Sequence, residues 1–256
     1  MSKSSANIYL VAGATRGIGL ALVAEIAEKE PSAVIYAGGR NPSGSSQLIE
    51  LASKYRGRVE LVKYVAADKA GNEAIAKEIG KKHGHIDTVI ANAGISNPPG
   101  KVHETSVENY EEHFSVNVLG PIVLFQAFRD LLKASSLPRF IAVTSSIGSI
   151  GMMDMIPLDV SSYGTSKAAL NWVVRKIHFE NDWLIAYPQC PGPVDTDMAK
   201  AGRARDTTGS FAEVAKLLTL REPAEAASIL VRIILESTRE KDGGQFHNME
   251  GGRYLW

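Results

Sequence analysis

The most constraining feature of this sequence is its opening, where a short apolar run leads straight into a glycine-rich loop. Residues 7–12 have the continuous apolar character of a strand buried on both faces. Gly13, Gly17 and Gly19 follow, and residues 20–29 predict a helix. In this position small residues let an anion approach the backbone and the free N–H groups of the helix N-terminus. The opening therefore predicts a phosphate-binding turn, the alternative being a glycine turn that only joins strand to helix.

Strand-like and helix-like segments alternate along the rest of the chain. Further strands are predicted at 33–37, 59–65, 88–91, 140–144, 183–187 and 245–248, and helices at 47–55, 72–83, 107–133, 166–178 and 223–237. This alternation implies right-handed crossovers and a mostly parallel sheet with helices on both faces. No linker, repeat or charge run divides the chain, so we predict a single doubly wound α/β domain of Rossmann type over residues 1–256.

The composition argues against several classes of partner. Lys plus Arg equals Asp plus Glu, at 28 each, so there is no basic field for nucleic acid or an anionic membrane. No apolar stretch is long enough to span a bilayer, and there is no signal-peptide pattern. The single cysteine, Cys190, rules out an intramolecular disulfide. The six histidines lack metal-ligand spacing, and we expect a cytoplasmic protein without a metal.

Tyr163 and Lys167 form the candidate reactive pair. Their spacing of four places both side chains on one face of a helix, one turn apart. A neighbouring ammonium favours the phenolate and lowers the pKa of a tyrosine, which suits that tyrosine to general acid–base catalysis. The alternative is a partly buried tyrosine beside a solvated lysine.

The loop spacing Gly-x-x-x-Gly-x-Gly, taken together with Tyr163-x-x-x-Lys167, resembles the short-chain dehydrogenase/reductase family. Asn92, Ala93 and Gly94 match the family element that supports the sheet and the adenosine side of the cofactor. Asn117 matches the helix asparagine that organises a water-linked proton path. The resemblance implies a Rossmann fold and a nicotinamide cofactor.

The resemblance also implies a catalytic serine, for which Ser146 is our preferred match because of its register after the strand. The gap to Tyr163 is longer than in many members and contains a methionine-rich stretch, so Ser145 and Ser149 stay open. A second matching segment, in which Pro191, Gly192, Val194 and Thr196 stand, holds the nicotinamide carboxamide in the family.

Arg40 decides the expected form of the cofactor. An acidic residue at the end of the second strand holds a ribose 2′-hydroxyl, whereas an arginine there accommodates a 2′-phosphate. The strand runs into Arg40 with no acid beside it, and Arg16 is a second clamp, so we expect NADP(H). Asp68 is expected at the adenine, as in the family. The residues assigned to the cofactor are Gly13, Thr15, Arg16, Gly17, Ile18, Gly19, Arg40, Asp68, Asn92, Ala93, Gly94, Tyr163, Lys167, Pro191, Gly192, Val194 and Thr196.

The long gap before Tyr163 is most similar to the carbonyl-reductase branch of sniffer-like and C-factor-like proteins, and fungal ketoreductases of the norsolorinic acid type are similar too. The resemblance implies NADPH-dependent reduction of a ketone or aldehyde, with a non-catalytic NADP-binding sensor as the alternative. Met152, Met153, Met155 and Met198 favour an apolar small-molecule substrate, unless they fill the core or an interface. Residues 197–219 are expected to form a substrate lid. The family implies a homodimer or homotetramer.

Overall fold

The computed structural model describes residues 6–215 and 219–256, which contain one six-stranded sheet. The strands run in the order 3-2-1-4-5-6, and every neighbouring pair is parallel. Their bounds are Ile8–Ala12 (β1), Val34–Gly39 (β2), Val59–Lys63 (β3), Thr88–Ala91 (β4), Arg139–Val143 (β5) and Ile185–Gln189 (β6). The prediction of a doubly wound parallel sheet is confirmed.

Helices cover both faces of this sheet. They are Gly17–Lys29 (α1), Ser46–Lys54 (α2), Lys69–His83 (α3), Val107–Phe114 (α4), Gly120–Lys133 (α5), Ser161–Glu180 (α6), Asp197–Ala204 (α7), Ser210–Ala215 (α8), Pro223–Glu236 (α9) and Arg239–Asp242 (α10). A π-helical stretch, Ser115–Leu119, joins α4 to α5. The apolar pattern predicts the longer helices, but it places the start of α6 five residues too late.

The core lies in two layers because successive strand residues point to opposite faces of the sheet. Leu10 belongs to one cluster with Phe128 of α5. Val11, the next residue in β1, belongs to the other cluster with Leu22 of α1. All four side chains are fully buried. Both faces of the sheet are therefore sealed, and only its edges and strand ends remain for a site.

The predicted strand at 245–248 is wrong, because this segment makes only isolated bridges at His247. The His247 N–H donates to the carbonyl of Pro188 at 3.0 Å, and the Cys190 N–H donates to the carbonyl of His247 at 2.9 Å. Pro188 has no N–H to donate in return, so the hydrogen-bonded ladder on this side of β6 stops.

One continuous helical stretch, Val107–Lys133, is long and apolar enough by length and composition to cross a membrane. We expected from the sequence that no stretch could span a bilayer. By length and composition, Val107–Lys133 departs from that expectation. Leu124, Phe128 and Leu132 from this stretch lie in the core cluster against the sheet, where the packed helix of a globular fold would put them.

The predicted lid at 197–219 contains α7 and α8. Residues 216–218 of that lid, and residues 1–5 of the predicted domain, lie outside the described part of the chain. Arg203 of α7 donates to Asp195 at 3.1 Å, which ties α7 to the segment that follows β6.

Candidate active site

A cleft of about 370 Å³ opens at the carboxyl ends of the strands. It lies between the neighbouring strands β1 and β4, where the order of the strands reverses direction. Open α/β sheets bind their ligands at this position. The sequence-predicted residues that line it are Gly13, Thr15, Arg16, Gly17, Ile18, Gly19, Arg40, Asn92, Ala93, Gly94, Tyr163, Lys167, Pro191 and Thr196.

The glycine loop forms one wall of the cleft. Gly13 has φ +80°, and a Cβ there would lie 2.7 Å from the Cα of Ala93. Helix α1 starts at Gly17 without a side-chain cap and without an acidic residue in its first turn. The first-turn N–H groups are thus left to an anion, and the glycine at position 13 lets the loop pack directly against Ala93. This wall fits the pyrophosphate of a dinucleotide.

The carboxyl end of β2 supplies the positive charge. Arg40 follows β2 directly, is exposed and lines the cleft. Arg16 also lines the cleft, and its Nη1 atom lies 3.5 Å from an oxygen of Asp197 at the start of α7. Forked guanidinium donors match phosphate oxygens. A 2′-phosphate on the adenosine ribose fits this corner.

Asp68 does not lie among the residues that line the cleft, contrary to the sequence prediction. Its carboxylate caps α3 instead, by accepting a hydrogen bond from the Gly71 N–H at 3.0 Å. An aspartate immediately before a helix is a standard N-cap, and that signal was present in the sequence. Tyr64, Val65 and Ala66 take the place at the end of β3 that was assigned to Asp68.

Gly192 and Val194 also lie off the cleft surface, whereas their neighbours Pro191 and Thr196 line it. Val194 is buried in a small cluster with Met249. The hydroxyl of Thr196 caps α7. Of the four predicted residues in this segment, Pro191 and Thr196 therefore reach the cleft and the two between them do not.

Tyr163 and Lys167 come together in the cleft as the spacing predicted. Both stand in α6, and the Lys167 Nζ lies 5.6 Å from the centre of the Tyr163 ring. Nζ also donates to the carbonyl of Val143 at 3.0 Å, so the lysine is anchored at the end of β5. Lys167 is 4% exposed, and Tyr163 is partly exposed toward the cleft.

The electrostatics of this pair differ from the expectation. Burial raises the pKa of Tyr163, the nearby Cys190 raises it further, and a hydrogen bond from Ser145 lowers it. Burial lowers the pKa of Lys167 to about 8, against an opposing effect of Cys190. The expected lowering of the Tyr163 pKa by the lysine is thus not found, and burial sets the direction of both shifts. A phenol with a raised pKa is fully protonated at neutral pH and has a proton to donate.

Ser145, not Ser146, is the serine that faces Tyr163. The Ser145 side chain lies close enough to the Tyr163 hydroxyl to lower the pKa of Tyr163. Ser146 turns toward Cys190, with its N–H 3.2 Å from the sulfur. Ser149 donates to the carbonyl of Leu255 at 2.6 Å. The preference for Ser146 is corrected, because the chain leaves β5 extended at Ser145 and turns into a 3-10 helix at Ser146.

The two predicted asparagines hold the cleft from behind. Asn92 donates to the carbonyl of Gly13 at 3.0 Å, which ties the end of β4 to the glycine loop. Asn117 is fully buried in the π-helical stretch and donates to Ser166 at 3.0 Å. A Cβ on Gly94 would lie 3.2 Å from the Asn117 oxygen and 3.7 Å from the Lys167 Nζ. Asn117 and Lys167 therefore approach the same point of the cleft.

Several cleft residues escaped the sequence analysis. Ile95, Glu112 and Val116 form a wall beside Tyr163, and Val143 and Thr144 form the floor at the end of β5. From the sequence, we placed the residue at the carboxyl end of β2 against the cofactor. The same reasoning, applied to the carboxyl ends of β3 and β5, would have found the cleft residues there. Glu112 and Val116 precede Asn117 by one turn or so, but no motif marked them.

The methionines divide between the cleft and the surface. Met198 lines the cleft. Met153 and Met155 are 67% and 69% exposed, so they fill no core in this chain. Among the described residues, no group of three or more His, Cys, Asp or Glu side chains is arranged to hold a metal ion.

Comparisons with known proteins agree over most of the chain. A family model described as short chain dehydrogenase matches residues 7–207. An uncharacterised oxidoreductase of Schizosaccharomyces pombe is 32% identical over 255 residues, which cover 98% of each protein. The norsolorinic acid ketoreductase of Dothistroma septosporum is 34% identical over 259 residues, covering 99% of this chain and 94% of that protein.

A solved structure agrees with these sequence matches. The NADPH-bound carbonyl reductase from chicken fatty liver superposes with a TM-score of 0.84 at 28% identity. The superposition covers 98% of this chain and 99% of that one.

Proposed function

The chain belongs to the short-chain dehydrogenase/reductase family of oxidoreductases, and on that premise we propose that it reduces a ketone or aldehyde to an alcohol with NADPH. The observation that carries the proposal is the meeting of Tyr163 and Lys167 in one cleft with the glycine loop, with Ser145 beside Tyr163. A carbonyl reductase and a ketoreductase among the similar proteins support the direction of the reaction. Oxidation of the alcohol would run the same steps in reverse.

In this mechanism the protein supplies the proton and the positioning. When bound, NADPH supplies a hydride to the carbonyl carbon. Negative charge then develops on the carbonyl oxygen, where the Ser145 hydroxyl would donate a hydrogen bond. Tyr163, a phenol that is protonated at neutral pH, would transfer its proton to that oxygen. Lys167, anchored on Val143, would bind the ribose hydroxyls and receive protons along a path organised by Asn117.

The remaining parts of the proposal concern the whole chain. Residues 1–256 would form one NADP-binding domain, with residues 197–219 closing over the substrate as a lid. Arg203 holds α7 to Asp195, so this lid would move together with the segment that follows β6. The substrate would be a small carbonyl compound with an apolar part against Met198. Copies of the chain would associate as a homodimer or homotetramer.

The direct test is NADPH oxidation, followed by absorbance, against a panel of ketones, aldehydes and quinones. Tyr163→Phe keeps the shape of the ring and removes the proton donor. We expect turnover to fall by about two to four orders of magnitude, with NADPH binding retained. Tyr55→Phe, at the end of α2, is the matched control and should keep full turnover. A parent protein that binds NADPH but reduces nothing in the panel would instead favour the NADP-binding sensor.

The cofactor preference has its own test. Arg40→Asp replaces the proposed phosphate ligand with a carboxylate that repels phosphate and can accept from a ribose hydroxyl. We expect NADPH affinity to fall by about tenfold or more while NADH affinity rises, since a hydrogen bond to a charged group is worth about 1.5–3 kcal/mol. Arg56→Asp, at an exposed arginine, is the control for the change of charge. Unchanged NADPH affinity in Arg40→Asp would remove this residue from the site.

A further inference from the structure

His113 is a fully buried histidine whose two ring nitrogens both have backbone partners. Its Nδ1 lies 2.7 Å from the carbonyl oxygen of Asn109, and its Nε2 lies 3.2 Å from the N–H of Asn97. The carbonyl can only accept and the N–H can only donate, so Nδ1 carries the hydrogen and Nε2 accepts. The ring is thus neutral, in one fixed tautomer.

The segment that His113 holds is also held by Asn117, one helical turn further on. The Ile95 N–H donates to the Asn117 oxygen at 2.9 Å, and the Asn117 nitrogen donates to the Ile95 carbonyl at 3.0 Å. Two side chains on one helix face therefore fix residues 95–97 by three hydrogen bonds. The Asn97 side chain adds a fourth bond, to Glu112 at 2.5 Å.

One residue of this segment, Ile95, lines the cleft that Tyr163 also lines. Glu112 lines the same cleft. The His113 ring itself packs edge-on against the Tyr163 ring, with centroids 6.3 Å apart and planes at 73°. One side chain thus touches the proposed proton donor and sets the position of the wall beside it.

The environment keeps the His113 ring in its accepting form. Burial lowers the pKa of His113, the carbonyl of Asn109 and the carboxylate of Glu112 raise it, and the charge of Lys167 lowers it. The net direction is downward, so the ring is neutral at neutral pH and Nε2 remains free to accept from Asn97.

We propose that His113 is a positioning residue that, together with Asn117, holds residues 95–97 in place, fixes Ile95 in the lining of the cleft and thereby sets the affinity for the carbonyl substrate. This inference rests on the proposed reductase function. The His113 side chain contacts Tyr163, Asn97 and Asn109, none of which belongs to the glycine loop, so we expect its effect to fall on substrate binding and to leave the affinity for NADPH unchanged.

Two variants separate the hydrogen bond from the ring. His113→Phe keeps an aromatic ring against Tyr163 and loses the acceptor for Asn97. His113→Gln places an amide oxygen near the position of Nε2 and restores the acceptor without the ring. His103→Phe and His103→Gln, at an exposed histidine, are the matched controls.

The kinetic measurement uses the panel compound with the highest turnover. In His113→Phe we expect the KM for that compound to rise about tenfold, the loss of one hydrogen bond of about 1.4 kcal/mol. The dissociation constant for NADPH should stay within about twofold of the parent value, and the glutamine variant should recover most of the KM. An unchanged KM in His113→Phe overturns the proposal. So does a rise of the KM for the carbonyl compound and of the dissociation constant for NADPH by the same factor in both variants.

Amide hydrogen exchange over residues 95–100 provides a readout that needs no activity. We expect faster exchange there in His113→Phe than in the parent and in His113→Gln, and equal exchange in all three overturns the positioning role even if no carbonyl is reduced. Should the phenylalanine variant fail to fold, the glutamine variant decides: parent-like exchange and KM support the proposal, and loss of either contradicts it.

Discussion

At the scale of single residues, Lys167 is a cation buried at a cost to the stability of the fold. Its pKa is lowered from 10.5 to about 8 by burial. Between those two values the unfolded chain binds more protons than the folded one, so stability rises with pH across this window. Below pH 8 both states carry the proton, and the full penalty of the buried charge remains.

Lys167→Met should therefore change the pH dependence of stability. Between pH 7 and pH 10.5 the free energy of unfolding of the parent should rise, relative to the variant, by on the order of 3 kcal/mol, because lowering a pKa by one corresponds to about 1.4 kcal/mol. Urea unfolding at a series of pH values measures this difference. Lys176→Met, at a lysine of α6 that is 52% exposed, is the control and should run parallel to the parent. A Lys167→Met curve parallel to the parent as well would mean that the lysine is not desolvated.

Ser145 and Ser146 can be separated by two alanine variants. Ser145→Ala removes the hydroxyl beside Tyr163, and the loss of a donor aimed at a developing oxyanion costs about two to three orders of magnitude in kcat. Ser146→Ala removes a hydroxyl that faces Cys190, and kcat should stay within a few-fold of the parent value. Steady-state kinetics with saturating NADPH gives both numbers. The reverse ranking would restore Ser146 as the catalytic serine.

The catalytic serine could not be chosen from the sequence alone, unlike the Tyr163–Lys167 pair. Tyr163 and Lys167 were predictable because helical spacing fixes their relation within one element. The choice between Ser145 and Ser146 depends on where β5 ends and which way the chain turns, which neighbouring strands decide. The raised pKa of Tyr163 could not be predicted from the sequence either, because it depends on burial by residues that are far apart in the sequence.

At the scale of secondary-structure elements, the start of α3 assigns Asp68 a structural role. Asp68→Ala should lower the free energy of unfolding by about 1 kcal/mol through loss of the N-cap, with the affinity for NADPH unchanged. Asp68→Asn keeps an acceptor and should restore the stability. Chemical unfolding and cofactor titration measure the two effects. Weaker NADPH binding at unchanged stability would return Asp68 to the adenine site.

Elements were predictable where periodicity alone decides them. The strand at 88–91 and the end of α3 at His83 follow directly from the apolar pattern. The predicted strand at 245–248 does not form, because Pro188 in the neighbouring β6 has no N–H to donate to it. Which segment lies beside β6 depends on tertiary structure, so the apolar pattern could not show this. The π-helical turn around Asn117 leaves no pattern in the sequence, yet it places Asn117 against Ile95.

At the scale of the whole molecule, the order of the strands creates the cleft. The chain builds outward from β1 to β3, then returns to the centre and builds outward again from β4 to β6. Loops that follow β1 and β4 therefore leave toward opposite faces, and a crevice between them is unavoidable. The alternation of segments predicted the doubly wound parallel sheet, whereas the order of its strands comes from the structure.

The cleft therefore has two halves with different freedom to change during evolution. The nucleotide half is set by strand order and by Gly13, whose Cβ would collide with Ala93, so a larger residue at this glycine would displace the scaffold. The other half includes Ile95 and Met198, which lie outside the strands, in segments that the sheet does not need for its own stability. New chemical preferences can arise in those segments by successive small replacements while the redox machinery is inherited intact.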